Sequence, residues 1–196
     1  MMLEFRWKAL SRIPLQTMTK HSKRILVLTA LLSVAFMGSI IKPTKVRAAD
    51  ARQLSFYHTH TRRSLSVVYY QDGGYVESAL DEINRFLRDF RTGDITEMNP
   101  QLLDLLYDVR NVLGSEGAYE VISAYRSPTT NEMLRATTNG VAKKSHHVKG
   151  NAIDVRLRGV RTKTLRETAL RMERGGVGYY PKSDFVHMDT GPIRQW

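Results

Sequence analysis

Residues 49–196 read as a small, single α+β domain in which helices flank a mostly antiparallel sheet. Three observations predict this. Short runs rich in β-branched and aromatic residues recur along the chain, punctuated by Gly, Pro and Asp turn signals. Longer stretches between them carry apolar residues at helical spacing. No internal repeat, linker or low-complexity segment interrupts the order.

In order, Gln53 to Tyr70 reads as a hairpin whose apolar runs flank the polar Thr61-Arg62-Arg63-Ser64. His58 and His60, two apart, are expected on one face of its first strand. Asp72-Gly73-Gly74 is a turn signal. Leu80, Ile83, Leu87 and Phe90 predict a helix over Val76–Arg91. Asn99-Pro100 reads as the cap and first residue of a second helix, carrying Leu102, Leu105, Leu106, Val109 and Leu113 and closed by Gly114. Tyr119–Tyr125 is a buried strand, and Ser127-Pro128 opens a short helix through Ala136. A polar loop over Thr137–Lys144 leads to a strand at Ile153–Leu157 and a helix at Thr164–Arg174. Val177–Tyr180 and Phe185–Met188 close the domain as two strands around the Pro181-Lys182-Ser183 turn.

The formal charge of +11 invites a nucleic-acid partner until the charges are located. Residues 1–48 hold nine of the 30 Lys and Arg and one of the 19 acids. That leaves 21 bases and 18 acids, +3, for residues 49–196, so nucleic acid loses its support. Lys20, Lys23 and Arg24 precede an uncharged run from Ile25 to Ile41, and Val46-Arg47-Ala48 offers small residues for cleavage. Residues 1–48 therefore read as a Sec-type secretory signal, with Met18 as a second candidate start and cleavage after Ala48. The expected location is the periplasm, with no stable membrane insertion after cleavage; an uncleaved inner-membrane anchor is the alternative. The chain has no cysteine, so a metal must be held by His and Asp or Glu.

Ser145 to Asp154, SHHVKGNAID, sets His147 and Asp154 seven residues apart with Gly150 between them. A turn at the glycine into a strand brings imidazole and carboxylate toward one point. Both are ligand types that Zn²⁺ accepts, and a catalytic site needs a third with one position left for water. Apart from the adjacent His146, the only other histidine in the C-terminal half is His187. His147, Asp154 and His187 are the expected ligands of one Zn²⁺ per chain.

The pattern S-x-H-x-x-G-x-A-x-D, met by Ser145, His147, Gly150, Ala152 and Asp154, resembles the signature of the LAS metallopeptidases, the zinc D-Ala-D-Ala peptidases and hedgehog-like proteins. SAYRSPTTNEMLR, GVAKKSHHVKGNAIDV and GGVGYYPKSDFVHMDTGPIRQW, with the early HTHT, are similar to the MepK-like murein endopeptidase branch. The resemblance covers nearly all of residues 49–196. It implies a hedgehog/D-Ala-D-Ala-peptidase-like fold and a zinc endopeptidase cutting D-Ala–mDAP or mDAP–mDAP cross-links of peptidoglycan. The alternatives are a D,D- or L,D-carboxypeptidase on stem peptides and an inactive, zinc-containing wall- or partner-binding module. The family position of Arg126 lines the active site, where a guanidinium can bind a carboxylate or stabilise an oxyanion. Two acids compete as general base. Asp184 stands three before His187, the D-x-x-H of the carboxypeptidase branch; Asp189 shares a face with His187 if that segment is extended.

Overall fold

The structure, a computed structural model, describes residues 51–138 and 140–196. The leader and the expected cleavage after Ala48 lie outside those residues. Among them, no helix is long and apolar enough to cross a membrane.

One eight-stranded sheet organises the domain. β1 (Arg52–His58), β2 (Ser64–Gln71) and β3 (Gly74–Tyr75) form an antiparallel meander. Helices α1 (Glu77–Phe86) and α2 (Pro100–Val112) then carry the chain back to β4 (Tyr119–Ser123), which pairs parallel to β1. After α3 (Pro128–Thr137) and a 3-10 turn (His146–Lys149) come β5 (Ala152–Leu157), α4 (Thr162–Arg171), β6 (Gly176–Tyr180), β7 (Phe185–Asp189) and β8 (Arg194–Gln195). The spatial order is β3-β2-β1-β4-β5-β7-β6-β8, antiparallel except at β1/β4 and β6/β8. The expected α+β class and mostly antiparallel sheet are what the protein has.

The core lies on one face of the sheet. Leu102, Leu103, Leu105, Leu106 and Val109 of α2 are fully or almost fully buried there with Ile83, Leu165 and the inward row Ile153, Val155, Leu157 of β5. Each such side chain contributes about 1.5–3 kcal/mol of transfer free energy relative to exposure. The other residues of β5, Ala152, Asp154 and Arg156, point to the opposite face because side chains alternate along a strand. That opposite face carries the site.

Several boundaries differ from the periodicity. Helix α1 ends at Phe86, five residues before the expected end. The cause is Asp89, whose buried carboxylate accepts from the N–H groups of Arg91 (2.9 Å) and Ser127 (2.8 Å) and pulls that segment out of the helix. β4 stops at Ser123 after an irregularity in its pairing with β5. Helix α4 runs from Thr162 to Arg171, two to three residues earlier than its apolar spacing suggests. The Asn99 cap forms as expected: its side chain accepts from Gln101 N at 2.9 Å with Pro100 opening the helix. His58 ends β1, but His60 lies in the following turn and stacks on Phe90 at 4.1 Å, so the two do not share a strand face.

Candidate metal centre

Pairing of the strands builds a single row across the sheet's open face. Ser123 of β4 is the register partner of Asp154 of β5; Asp154 faces His187 of β7, and His187 faces Gly178 of β6. His147 comes from the 3-10 turn before β5. Ser145 caps that turn by accepting from His147 N, and Gly150 ends it at φ 67°. A Cβ on Gly150 would stand 2.3 Å from the Glu97 carbonyl oxygen, so both conformation and space demand glycine there.

The structure brings His147, Asp154 and His187 together, all buried, with one ligand atom from each inside a 4.8 Å span. Asp154 Oδ1 lies 2.8 Å from His187 Nδ1 and 3.3 Å from His147 Nε2, and the two ring nitrogens are 3.1 Å apart. The outer nitrogens are committed elsewhere. His147 Nδ1 meets the Ala124 carbonyl oxygen at 2.6 Å, and His187 Nε2 meets Asp189 Oδ2 at 3.0 Å. The Ala124 carbonyl only accepts, so His147 donates outward and turns its Nε2 lone pair inward; His187 lies between two carboxylates, and in the tautomer that donates to Asp189 its Nδ1 lone pair also turns inward. Two lone pairs and a carboxylate then face one point, an arrangement that repels itself without a cation. The donor set, two imidazole nitrogens and one carboxylate oxygen, fits a divalent ion of the zinc class.

Charge behaviour without a metal expresses the same demand. Burial opposes ionisation of Asp154, but the two imidazoles outweigh it and hold its carboxyl below the ordinary range. Burial also opposes a charge on His187, yet its bonds to Asp154 and Asp189 lift it to about 9. For His147, burial dominates and lowers the pKa. Without a cation the cluster thus favours protonation of His187 over that of His147.

The other expected residues divide. Arg126 reaches the cluster: its Nη2 donates to Asp154 Oδ2 at 3.0 Å and its Nε to Ser123 Oγ at 3.3 Å. Asp189 is wholly buried behind His187, on the ring edge away from the cluster. Its two oxygens accept from Gly176 N, Gly191 N and both terminal nitrogens of Arg194 as well. Burial opposes its ionisation, but the bond to His187, then those from Gly191 and Gly176, outweigh that penalty and hold its carboxyl below the usual range. The structure does not bring Asp184 to the cluster. At φ 51° in the β6–β7 turn, its largely exposed carboxylate accepts from Thr162 Oγ1 at 2.7 Å and stands 3.4 Å from Arg156 Nε.

Three contributors escape a reading of residue types. Ala124 acts through its backbone carbonyl. Asp89, holding Ser127 N, sets the segment that carries Arg126. Trp196 lies against the His187 ring, centroids 5.2 Å apart, and donates to Tyr180 Oη at 2.8 Å; a Cβ on Gly178 would collide with it. Beside the cluster opens a cleft of about 470 Å³, lined among others by Arg126, Lys144, His146, Tyr180 and Trp196.

Comparison with known proteins places the chain in a family. A family model described as peptidoglycan L,D-endopeptidase MepK matches residues 46–196. Peptidoglycan L,D-endopeptidase MepK of Escherichia coli K12 is 43% identical over 173 residues, 86% of this chain and 94% of that protein. The protein of the same description from Shigella flexneri has the same identity and coverage. The probable peptidoglycan L,D-endopeptidase MepK of Haemophilus influenzae is 39% identical over 165 residues, 82% of this chain and 89% of the relative. No solved structure matches the chain. With a match across the whole described domain, the chain belongs to the MepK family of peptidases.

Proposed function

We propose that this chain is a zinc-dependent murein endopeptidase of the periplasm, hydrolysing peptide cross-links of peptidoglycan with one Zn²⁺ held by His147, Asp154 and His187. The relatives' L,D designation favours the mDAP–mDAP link over D-Ala–mDAP. The observation that carries the reading is the outward commitment of both imidazoles, to the Ala124 carbonyl and to Asp189, which leaves two lone pairs and a carboxylate convergent on one point. When bound there, Zn²⁺ supplies Lewis-acid polarisation and an acidified water.

The chain's own residues do the rest. Arg126, tied to the outer oxygen of Asp154, keeps a fixed positive charge at the cleft wall, where it favours negative charge on the carbonyl oxygen under attack. Asp189 acts as a positioning residue: with every lone pair engaged, it fixes the tautomer and tilt of His187. Asp184 braces the β6–β7 turn against α4 and Arg156 and takes no part in proton transfer. Incubation of the purified protein with cross-linked muropeptide dimers tests the proposal. Cleavage is expected with zinc, is lost with a chelator and returns on adding zinc back. Dimers left intact at full zinc occupancy would sink it.

A further inference from the structure

The charges around the cleft are matched except one. Three cationic side chains line it, Arg126, Lys144 and Arg194, with Asp154 as the one acidic side chain among its lining residues. Arg126 is committed to Asp154 at 3.0 Å and Arg194 to the buried Asp189 at 2.6 Å. Lys144 is exposed and, among the described residues, pairs with no acid. Its backbone is not free to drift, because the next residue, Ser145, is buried and caps the turn that delivers His147. An ammonium at the wall of the cleft that opens beside the cluster, where the other cations are paired, has an anion as its natural complement.

We infer that Lys144 is a specificity-determining residue that binds a free carboxylate of the substrate, the one on the carbon attached to the scissile amide nitrogen. The inference rests on the murein reading. In both D-Ala–mDAP and mDAP–mDAP links, that nitrogen belongs to the D-centre of the acceptor diaminopimelate, and this centre carries an unsubstituted carboxylate. The bond being cut therefore looks locally like the last peptide bond of a chain, which makes one cation serve either link. Amidation of that carboxylate removes its charge and with it the partner for Lys144, so the protein discriminates between free and amidated cross-links.

The test measures kcat and KM on dimers with the acceptor carboxylate free or amidated, for wild type, Lys144→Gln and Lys144→Arg, with zinc content determined for each. Wild type should favour the free carboxylate by about tenfold or more, mainly through KM, as loss of a charge-assisted bond predicts. Lys144→Gln should collapse that selectivity ratio toward one at unchanged zinc content, and Lys144→Arg should restore most of it. A Lys144→Gln variant that keeps the wild-type ratio, or a wild type indifferent to amidation, overturns the inference while the murein reading stands. Failure of fully loaded wild type to cut either dimer overturns both.

Discussion

The described residues bring together two pairs of histidines, His147 with His187 and His58 with His60, and only the first joins a carboxylate in a group that could hold a metal. The rings of His147 and His187 are 5.0 Å apart; those of His58 and His60 are 6.0 Å apart, a small difference. Their surroundings differ far more. The first pair shares a carboxylate, and each outer nitrogen is held by an acceptor. The second pair packs on Phe86 and Phe90 with Arg88 and Arg91 nearby, and among the described residues no carboxylate joins it. Burial, then the neighbouring His60 and Arg88, push His58 down to about 4; burial and Arg91 lower His60. Proximity of imidazoles does not make a metal centre. Acceptors behind them and an acid between them do.

The largest expected effect breaks the first pair outright. His147→Ala or Asp154→Ala should abolish zinc retention by elemental analysis and cleavage of dimers, whereas His60→Ala should keep both. A variant of His147 with full zinc content would dissolve the contrast. A graded version removes only the acceptor. Asp189→Asn should weaken zinc affinity by about 10–100-fold in a competition titration, the usual cost of losing a partner behind a ligand histidine. Asp184→Asn, whose largely exposed carboxylate meets only Arg156 and the Thr162 hydroxyl and lies away from the cluster, should leave zinc affinity unchanged and shift stability by less than about 1 kcal/mol. Equal losses of zinc affinity from the two substitutions would contradict the roles assigned to them.

The smallest effect belongs to the second pair and appears only with pH. His58 has an ordinary pKa of 6.5 and about 4 in the folded protein. Between those values the unfolded chain binds the more protons, so this residue's share of stability falls as the pH drops from about 6.5 to about 4 and is constant above and below. Urea midpoints of wild type and His58→Gln, measured at pH 7, 5 and 4 with zinc bound, should converge as the pH falls. Parallel curves would mean that the burial of His58 carries no linkage.

Much of the site was legible because ligand chemistry is a property of residue types. With no cysteine, residue type and spacing singled out His147, Asp154 and His187, the resemblance to the family's ligand positions supported them, and alternation along an extended 185–189 put Asp189 on the face of His187, where the two meet. What periodicity missed is written in the backbone or across long sequence distances. Any residue at position 124 offers a carbonyl, and only the irregularity after Val121 and the exit from β4 aim it at His147. The early end of α1 depends on Asp89 capturing the N–H of Ser127, 38 residues away. Arg194 and Trp196 reach the cluster because a two-residue strand pairs with β6, too short to register as a hydrophobic pattern. Asp184 carried a motif from a related branch, but the left-handed turn it occupies directs its carboxylate toward α4.

The cross-strand row Ser123–Asp154–His187–Gly178 also ties assembly to activity. Were β5 and β7 threaded one position out of step, Asp154 or His187 would swing into the oily layer beneath, and no ion could be captured. If the proposed zinc dependence holds, loading with metal would act as an inspection of strand alignment: a copy folded askew would stay empty, and an empty copy would leave the wall uncut.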